Sequence, residues 1–428
     1  MPLLSPAELT QTINQLLNAR EQLVHRPVRD ILSSIDQVVA RFLSPFSTER
    51  QELELHLPGE TGLSPEMIHH VLPFIFREYR APRLSALLQD ELGSLAVLDD
   101  FSNNRRVINP RLITQVLASN LPGAGLDGLI FSLLLKSATL VKTSSSASLL
   151  PMRFARALAE VDPKLATSLS VVTWPGGHTA LEKIAFGRAD VVIVSGSEQT
   201  LAAIRPQVRG RLIGYGHKVS FSIIAKEALA DTTEVARQTA YDVMLFDQQG
   251  CLSPQVIYVE QGGSVSPKEF ASHLSQALAH WEHVVPRGRI PQEASVAIRR
   301  VRDETEWHAL AGKESALYAS PNGTEWTVAY EADPAFAPSP LYRTIRVKPL
   351  TTFAQLGELL ISWRPHLEAV GVAVSPERLP GLATMLGQMG VSRVCPIGTM
   401  QTPPLSWRHG GRPRVADIVR WIEIEQPR

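Results

Sequence analysis

Cys251 lies in the run Phe246-Asp247-Gln248-Gln249-Gly250-Cys251-Leu252-Ser253-Pro254. Gly250 lets the backbone approach a ligand closely or take an unusual turn. A thiolate is a strong nucleophile and a good leaving group, which suits reversible acyl transfer. Free cysteine is also among the most buried residue types, so an inert structural thiol is the competing reading. Cys395, in Val391-Ser392-Arg393-Val394-Cys395-Pro396, has strand-like apolar neighbours and reads as structural. Gly123-Ala124-Gly125-Leu126-Asp127-Gly128 matches GxGxxG between a candidate strand and a candidate helix, the setting of a dinucleotide fingerprint. The acidic residue due about 20 positions later is missing, so a tight turn with a close helix contact stands beside that reading. Ser195-Gly196-Ser197-Glu198 also joins a strand to a helix. Its amides and hydroxyl could hold a pyrophosphate, or Ser197 is a plain N-cap. Trp174-Pro175-Gly176-Gly177 ends another candidate strand. The histidines show no zinc-ligand spacing, so no metal is expected.

The elements that must position these residues follow from periodicity. Residues 1 to about 90 read as helical, with N-cap and first-turn chemistry at Ser5-Pro6-Ala7-Glu8 and turns at Pro58-Gly59 and Gly62. From about 107 the pattern alternates. Strands are expected at 112–119, 139–142, 170–174, 190–194 and 211–213, with helices at 126–136, 149–160, 179–186 and 199–208. Such alternation implies right-handed crossovers and a parallel sheet. A second α/β region follows 218: a long helix over 229–245, the Cys251 loop, a strand over 255–260 and a helix over 267–283. Helical periodicity resumes over 415–424. The fold class is α/β, with two doubly wound domains and a helical N-terminal region. The expected division is a first domain over 1–218, a second over 219–395 that carries Cys251, and a C-terminal segment, 396–428, that returns to the first or makes an oligomer contact.

Composition excludes several functions. Lys plus Arg equals Asp plus Glu, 42 of each. No field therefore favours nucleic acid or an anionic membrane, and a small-molecule or protein partner fits better. Two cysteines make no disulfide framework, and a reducing cytoplasm is the expected compartment. The first eleven residues carry no signal-peptide pattern. The longest apolar stretches, such as 129–135, fall far short of the roughly 20 residues that span a bilayer.

Taken in order, the segments resemble the aldehyde dehydrogenase superfamily, and within it the LuxC type of acyl-CoA reductase. Ala118-Ser119-Asn120-Leu121-Pro122 is similar to the superfamily's Trp-Asn-Phe-Pro segment. Leu140-Val141-Lys142-Thr143-Ser144-Ser145 resembles its strand ending in lysine. Ser195-Gly196-Ser197-Glu198 resembles its Thr-Gly-Ser segment, and 246–251 the loop that ends in the nucleophile. Gly216-His217-Lys218-Val219-Ser220 and Trp407-Arg408-His409-Gly410-Gly411-Arg412-Pro413 are similar to the LuxC group in particular. The resemblance runs from about residue 95 to the end.

The resemblance implies roles. Cys251 would attack an acyl thioester, with Asn120 and the Cys251 amide as oxyanion hole. Lys142, Ser144 and Ser145 would meet the adenosine ribose or its phosphate, Gly196 and Ser197 the pyrophosphate, and Pro175 and Gly176 the adenine side. The GxGxxG segment then sits near the catalytic asparagine instead of under the pyrophosphate. Two departures narrow the chemistry. The superfamily's general-base glutamate, in Glu-Leu-Gly-Gly-Lys, falls on Gly214 of Gly214-Tyr215-Gly216-His217-Lys218. A thioester on Cys251 would thus escape hydrolysis and await reduction. Ser145 stands where NAD-preferring members carry a glutamate, which removes repulsion of a 2′-phosphate and favours NADP(H). The glutamate of the family's Glu-Ile-Phe-Gly-Pro segment is missing around 339–342. The implied activity is NADPH-dependent reduction of acyl-CoA to aldehyde, with an acyl-transferring partner protein as alternative donor and a homo-oligomer as the expected assembly. The rivals are an oxidatively running aldehyde dehydrogenase and a non-catalytic acyl- or nucleotide-binding homologue.

Overall fold

The computed structural model describes residues 4–117, 121–144 and 148–425. They form two compact units: Met1–Thr61, Leu72–His217 and Pro404–Arg428 in one, Gly62–Val71 and Lys218–Pro403 in the other. Nothing in the sequence pattern pointed to Gly62–Val71 joining the second unit.

The first unit begins with helix Pro6–Leu23, opened by a reciprocal cap. The Ser5 hydroxyl accepts the Glu8 amide at 3.2 Å, and the Glu8 carboxylate accepts the Ser5 amide at 2.8 Å. Its apolar stripe, Leu9, Ile13 and Leu16, is buried in the core around the sheet that follows. Helices Val28–Leu43, Thr48–Thr61, Pro65–Arg77 and Ala81–Leu92 complete the helical region. After β1 (Arg105–Ile108) come five parallel strands, β2 (Leu112–Leu117), β3 (Ala138–Thr143), β4 (Leu169–Thr173), β5 (Val191–Ser195) and β6 (Arg211–Tyr215). Their order is β4-β3-β2-β5-β6. β2 and β3 are buried along their whole length, as central strands covered on both faces must be. The strand order reverses between β2 and β5, and ligands of doubly wound sheets bind outside the strand C-termini at that point.

In the second unit, β7 (Val219–Ile224), β8 (Pro254–Glu260), β9 (Ser315–Ala319), β10 (Thr327–Glu331), β11 (Thr344–Leu350), β12 (Leu367–Ala373) and β13 (Arg393–Pro396) form a sheet ordered β13-β12-β7-β8-β11-β10-β9. It is parallel except for the β9–β10 pair. Separate apolar clusters cover its faces, one built on Ile257, Phe270 and Ile345, the other on Phe221, Tyr258 and Leu386. Back in the first unit, β14 (Arg420–Glu423) pairs antiparallel with β1.

Three expectations about elements are corrected. Residues 415–424 do not form a helix. Val415, Ile418 and Val419 are buried, so their spacing reflects burial in a turn, and the residues after them pair with β1 instead. Helix Thr48–Thr61 runs through Pro58, and the break comes at Gly62, whose φ of 78° suits glycine. The expected helix over 229–245 is split into a 3-10 turn, Lys226–Asp231, and helix Thr232–Met244, capped by Asp231. Among the described residues no helix is long and apolar enough to cross a membrane.

Candidate active site

Cys251 sits in the turn between Leu245–Gln248 and β8, and the residue is exposed. Its carbonyl accepts the Ser220 hydroxyl of β7 at 2.8 Å, and that hydroxyl accepts the Ala369 amide of β12 at 3.2 Å. The backbone at Cys251 is thereby tied to β7, the neighbour of β8, and through it to β12. Gly250 has a specific reason to lack a side chain. A Cβ there would lie 2.7 Å from Oε1 of Gln401, whose amide donates to Ser253. Glu368 of β12 is fully buried, accepts the Ser392 hydroxyl at 2.5 Å, and has the Lys218 ammonium at 3.8 Å. Although Cys251 keeps solvent access, crowding around its sulfur desolvates the thiolate. Glu368 adds repulsion, Lys218 opposes it, and the thiol is pushed up to about 11. The resting group at neutral pH is the thiol. Cys395 on β13 is a second free thiol, buried, with its Sγ 3.9 Å from the Val370 carbonyl.

The turn before Cys251 is held in an unusual shape. Phe246, Asp247 and Gln248 have φ of 53°, 50° and 63°, a left-handed run without glycine. Such a conformation costs about 1–2 kcal/mol per residue. Opposite it, Leu341, Tyr342 and Arg343 form a second left-handed run, with φ of 69°, 52° and 61°. Arg343 and Asp247 are buried and face each other: Nε donates to Oδ1 at 2.9 Å, and Nη2 lies 2.8 Å from the same oxygen. These left-handed runs are the main feature that sequence reasoning missed.

The cofactor residues expected from the resemblance follow the C-terminal ends of β3, β4 and β5, which in a parallel sheet share one edge. Lys142 on β3 is buried, with its ammonium 5.9 Å from the centre of the Trp174 ring. Desolvation lowers its pKa, with Glu182 opposing. Among the described residues no carboxylate pairs with it. The buried Trp174 indole N–H has no partner there either. Pro175 and Gly176 are exposed in the following turn, where the Gly177 amide donates to Glu182 at 2.7 Å. The Gly196 amide bonds the Tyr215 carbonyl at 3.1 Å, and Ser197 caps helix Glu198–Ile204 through the Thr200 amide. Ser144 follows β3 directly. Asn120 and Ser145 lie outside the described residues.

The GxGxxG glycines serve packing. A Cβ at Gly125 would lie 2.0 Å from a Leu117 methyl, and one at Gly128 would lie 2.5 Å from the Gln115 amide nitrogen. That amide nitrogen donates to the Gly125 carbonyl at 2.7 Å. The segment 407–413 meets Gly214 and Tyr215, the residues just before Gly216. His409 stacks on Tyr215 at 4.3 Å, Trp407 leans on His409 at 4.9 Å, and Arg412 donates to the Gly214 carbonyl at 3.2 Å. A Cβ at Gly214 would lie 2.7 Å from Leu201, so a glutamate there requires Leu201 to move.

This arrangement agrees with the comparisons. The model of the family described as acyl-CoA reductase (LuxC) matches residues 23–421, and the chain belongs to that family, one of oxidoreductases acting on the aldehyde or oxo group. A long-chain acyl-protein thioester reductase of Aliivibrio fischeri is 26% identical over 97% of this chain and 86% of its own length. One of Photorhabdus laumondii is 28% identical over 52% of this chain, and that match spans about half, 48%, of the relative. The fold is that of the aldehyde dehydrogenases. An indole-3-acetaldehyde dehydrogenase solved with NAD+ superposes with a TM-score of 0.72 over 98% of this chain and 89% of its own, at 14% identity.

Proposed function

We propose that this protein reduces a fatty acyl thioester to the aldehyde, with NADPH as reductant and Cys251 as the acylated residue. The observation that carries the reading is Cys251, exposed at the end of a rigidly fastened turn in a chain of the LuxC family. The sulfur attacks the thioester carbonyl, forms the acyl–sulfur bond, and expels the donor thiol, which takes up the proton that Cys251 loses. The Gly250 carbonyl accepts the Ser253 amide at 3.0 Å, which holds the peptide plane that carries the Cys251 N–H, the oxyanion donor of this reading, with Asn120 as its partner by resemblance. NADPH supplies the hydride that an acyl group needs to become an aldehyde. Lys142 and the Trp174 N–H suit such a dinucleotide: among the described residues the buried ammonium has no ion-paired carboxylate and the buried indole N–H no acceptor, and both favour a polar, anionic ligand. Ser145 in place of a carboxylate favours the 2′-phosphate. Gly214, walled by Leu201, leaves no general base for hydrolysis at that position. The names of the relatives favour a long chain carried on a protein, with acyl-CoA as the simpler surrogate.

Intact mass after incubation with acyl-CoAs of increasing length, beside Cys251→Ala, tests the reading. The wild type should gain one acyl mass that NADPH discharges as aldehyde, and Cys251→Ala should gain none. Full aldehyde formation by Cys251→Ala would sink the mechanism, and equal rates with NADH would remove the cofactor preference.

A further inference from the structure

We propose that Arg343 is a positioning residue for Cys251, acting through the buried ion pair that locks the turn before the nucleophile. The inference rests on the reading of Cys251 as the acylated residue. Bulky residues stay left-handed only where their surroundings over-determine them. Here two such runs, Phe246–Gln248 and Leu341–Arg343, fasten each other through consecutive residues. The Arg343 guanidinium grips Asp247, and the next amide, Thr344 N–H, donates to the Gln248 side chain at 2.8 Å. The Gln248 amide then reaches forward past the nucleophile to the Pro254 carbonyl at 2.8 Å. The other Asp247 oxygen accepts the Gly288 amide at 2.9 Å. The chain carrying Cys251 is thus pinned before it at 247 and 248 and after it at 254. Arg343 and Asp247 are both buried. A buried ion pair gains little stability over apolar packing of the same volume. What a fork of fixed shape adds is direction, and lysine does not reproduce it. The sulfur's line of approach to a thioester is therefore set from 92 residues away by a group that touches no substrate.

The test uses full-length wild type, Arg343→Lys, Arg343→Ala and Asp247→Asn with tetradecanoyl-CoA as the thioester. Acylation of Cys251 is followed by intact mass, and alkylation by iodoacetamide is measured in parallel. Acyl transfer needs alignment and alkylation by a small electrophile does not. In the folded variants acylation should fall on the order of 100-fold, and alkylation should stay within about 3-fold of wild type. Guanidinium ion, and not methylammonium, should restore acylation in Arg343→Ala. Acylation by folded Arg343→Lys or Asp247→Asn within about twofold of wild type overturns the proposal. So does parallel loss of acylation and alkylation without guanidinium rescue. Failure of all three variants to fold also overturns it, by assigning the pair to folding alone. A wild type that takes up no acyl group refutes the Cys251 reading instead.

Discussion

Burial makes a carboxylate titrate late even where amides hold it. Asp242, on helix Thr232–Met244, is buried and accepts the Gly398 amide at 2.6 Å and the Met400 amide at 2.9 Å. Burial outweighs these bonds and the field of Arg393, and the group is pushed up to about 7. In the unfolded chain it ionises near 3.9. Between those values the folded protein holds a proton that the unfolded chain has lost. Stability from this group should therefore fall as pH rises through that window and level off above it. Asp242→Asn should flatten the slope of melting temperature against pH between about 4 and 7, at the cost of one amide contact of about 1 kcal/mol; an unchanged slope would show that Asp242 is not the titrating group. At this scale the sequence was uneven. Cys251 could be singled out as a candidate because its glycine turn and its thiol chemistry are local. Arg343 could not, because its partner is 96 residues away and leaves no spacing signature.

Elements were more legible, because strands buried on both faces and amphipathic helices announce their period. The alternating pattern from 107 to 218 led to the parallel sheet, and the Ser5–Glu8 cap to the first helix. The errors have common physics. Val415, Ile418 and Val419 satisfy a helical period with buried turn residues, and pairing with β1 decides the strand. GxGxxG left a phosphate cradle and a tight packed turn both open, because glycine reports close approach without saying what approaches; here it is Gln115 and Leu117, as the packed-turn reading has it. Gly125→Ala should therefore destabilise by more than about 1 kcal/mol in urea titration, since φ is 80° and the new methyl has no room. Gly59→Ala, in helix Thr48–Thr61 with nothing within 4 Å, should stabilise by up to about 1 kcal/mol. Equal effects at both sites would contradict this account of the motif.

For the molecule as a whole, the expected cofactor residues and Cys251 belong to different contact units. NADPH at 100 times its dissociation constant should add about 2.7 kcal/mol to whatever binds it. Hydrogen exchange should show that protection on β2 to β6, and protection confined to β7 to β13 would refute the cofactor assignment. The division of the chain between units also has a consequence for synthesis. β1 ends at Ile108, and its partner β14 begins only at Arg420. At ~5–20 residues per second on a ribosome, β1 waits roughly 15–60 s for the strand that covers it. Lys218–Pro403, all of the second unit except Gly62–Val71, is translated within that interval. The nascent first unit thus exposes an unpaired strand edge until β14 is made.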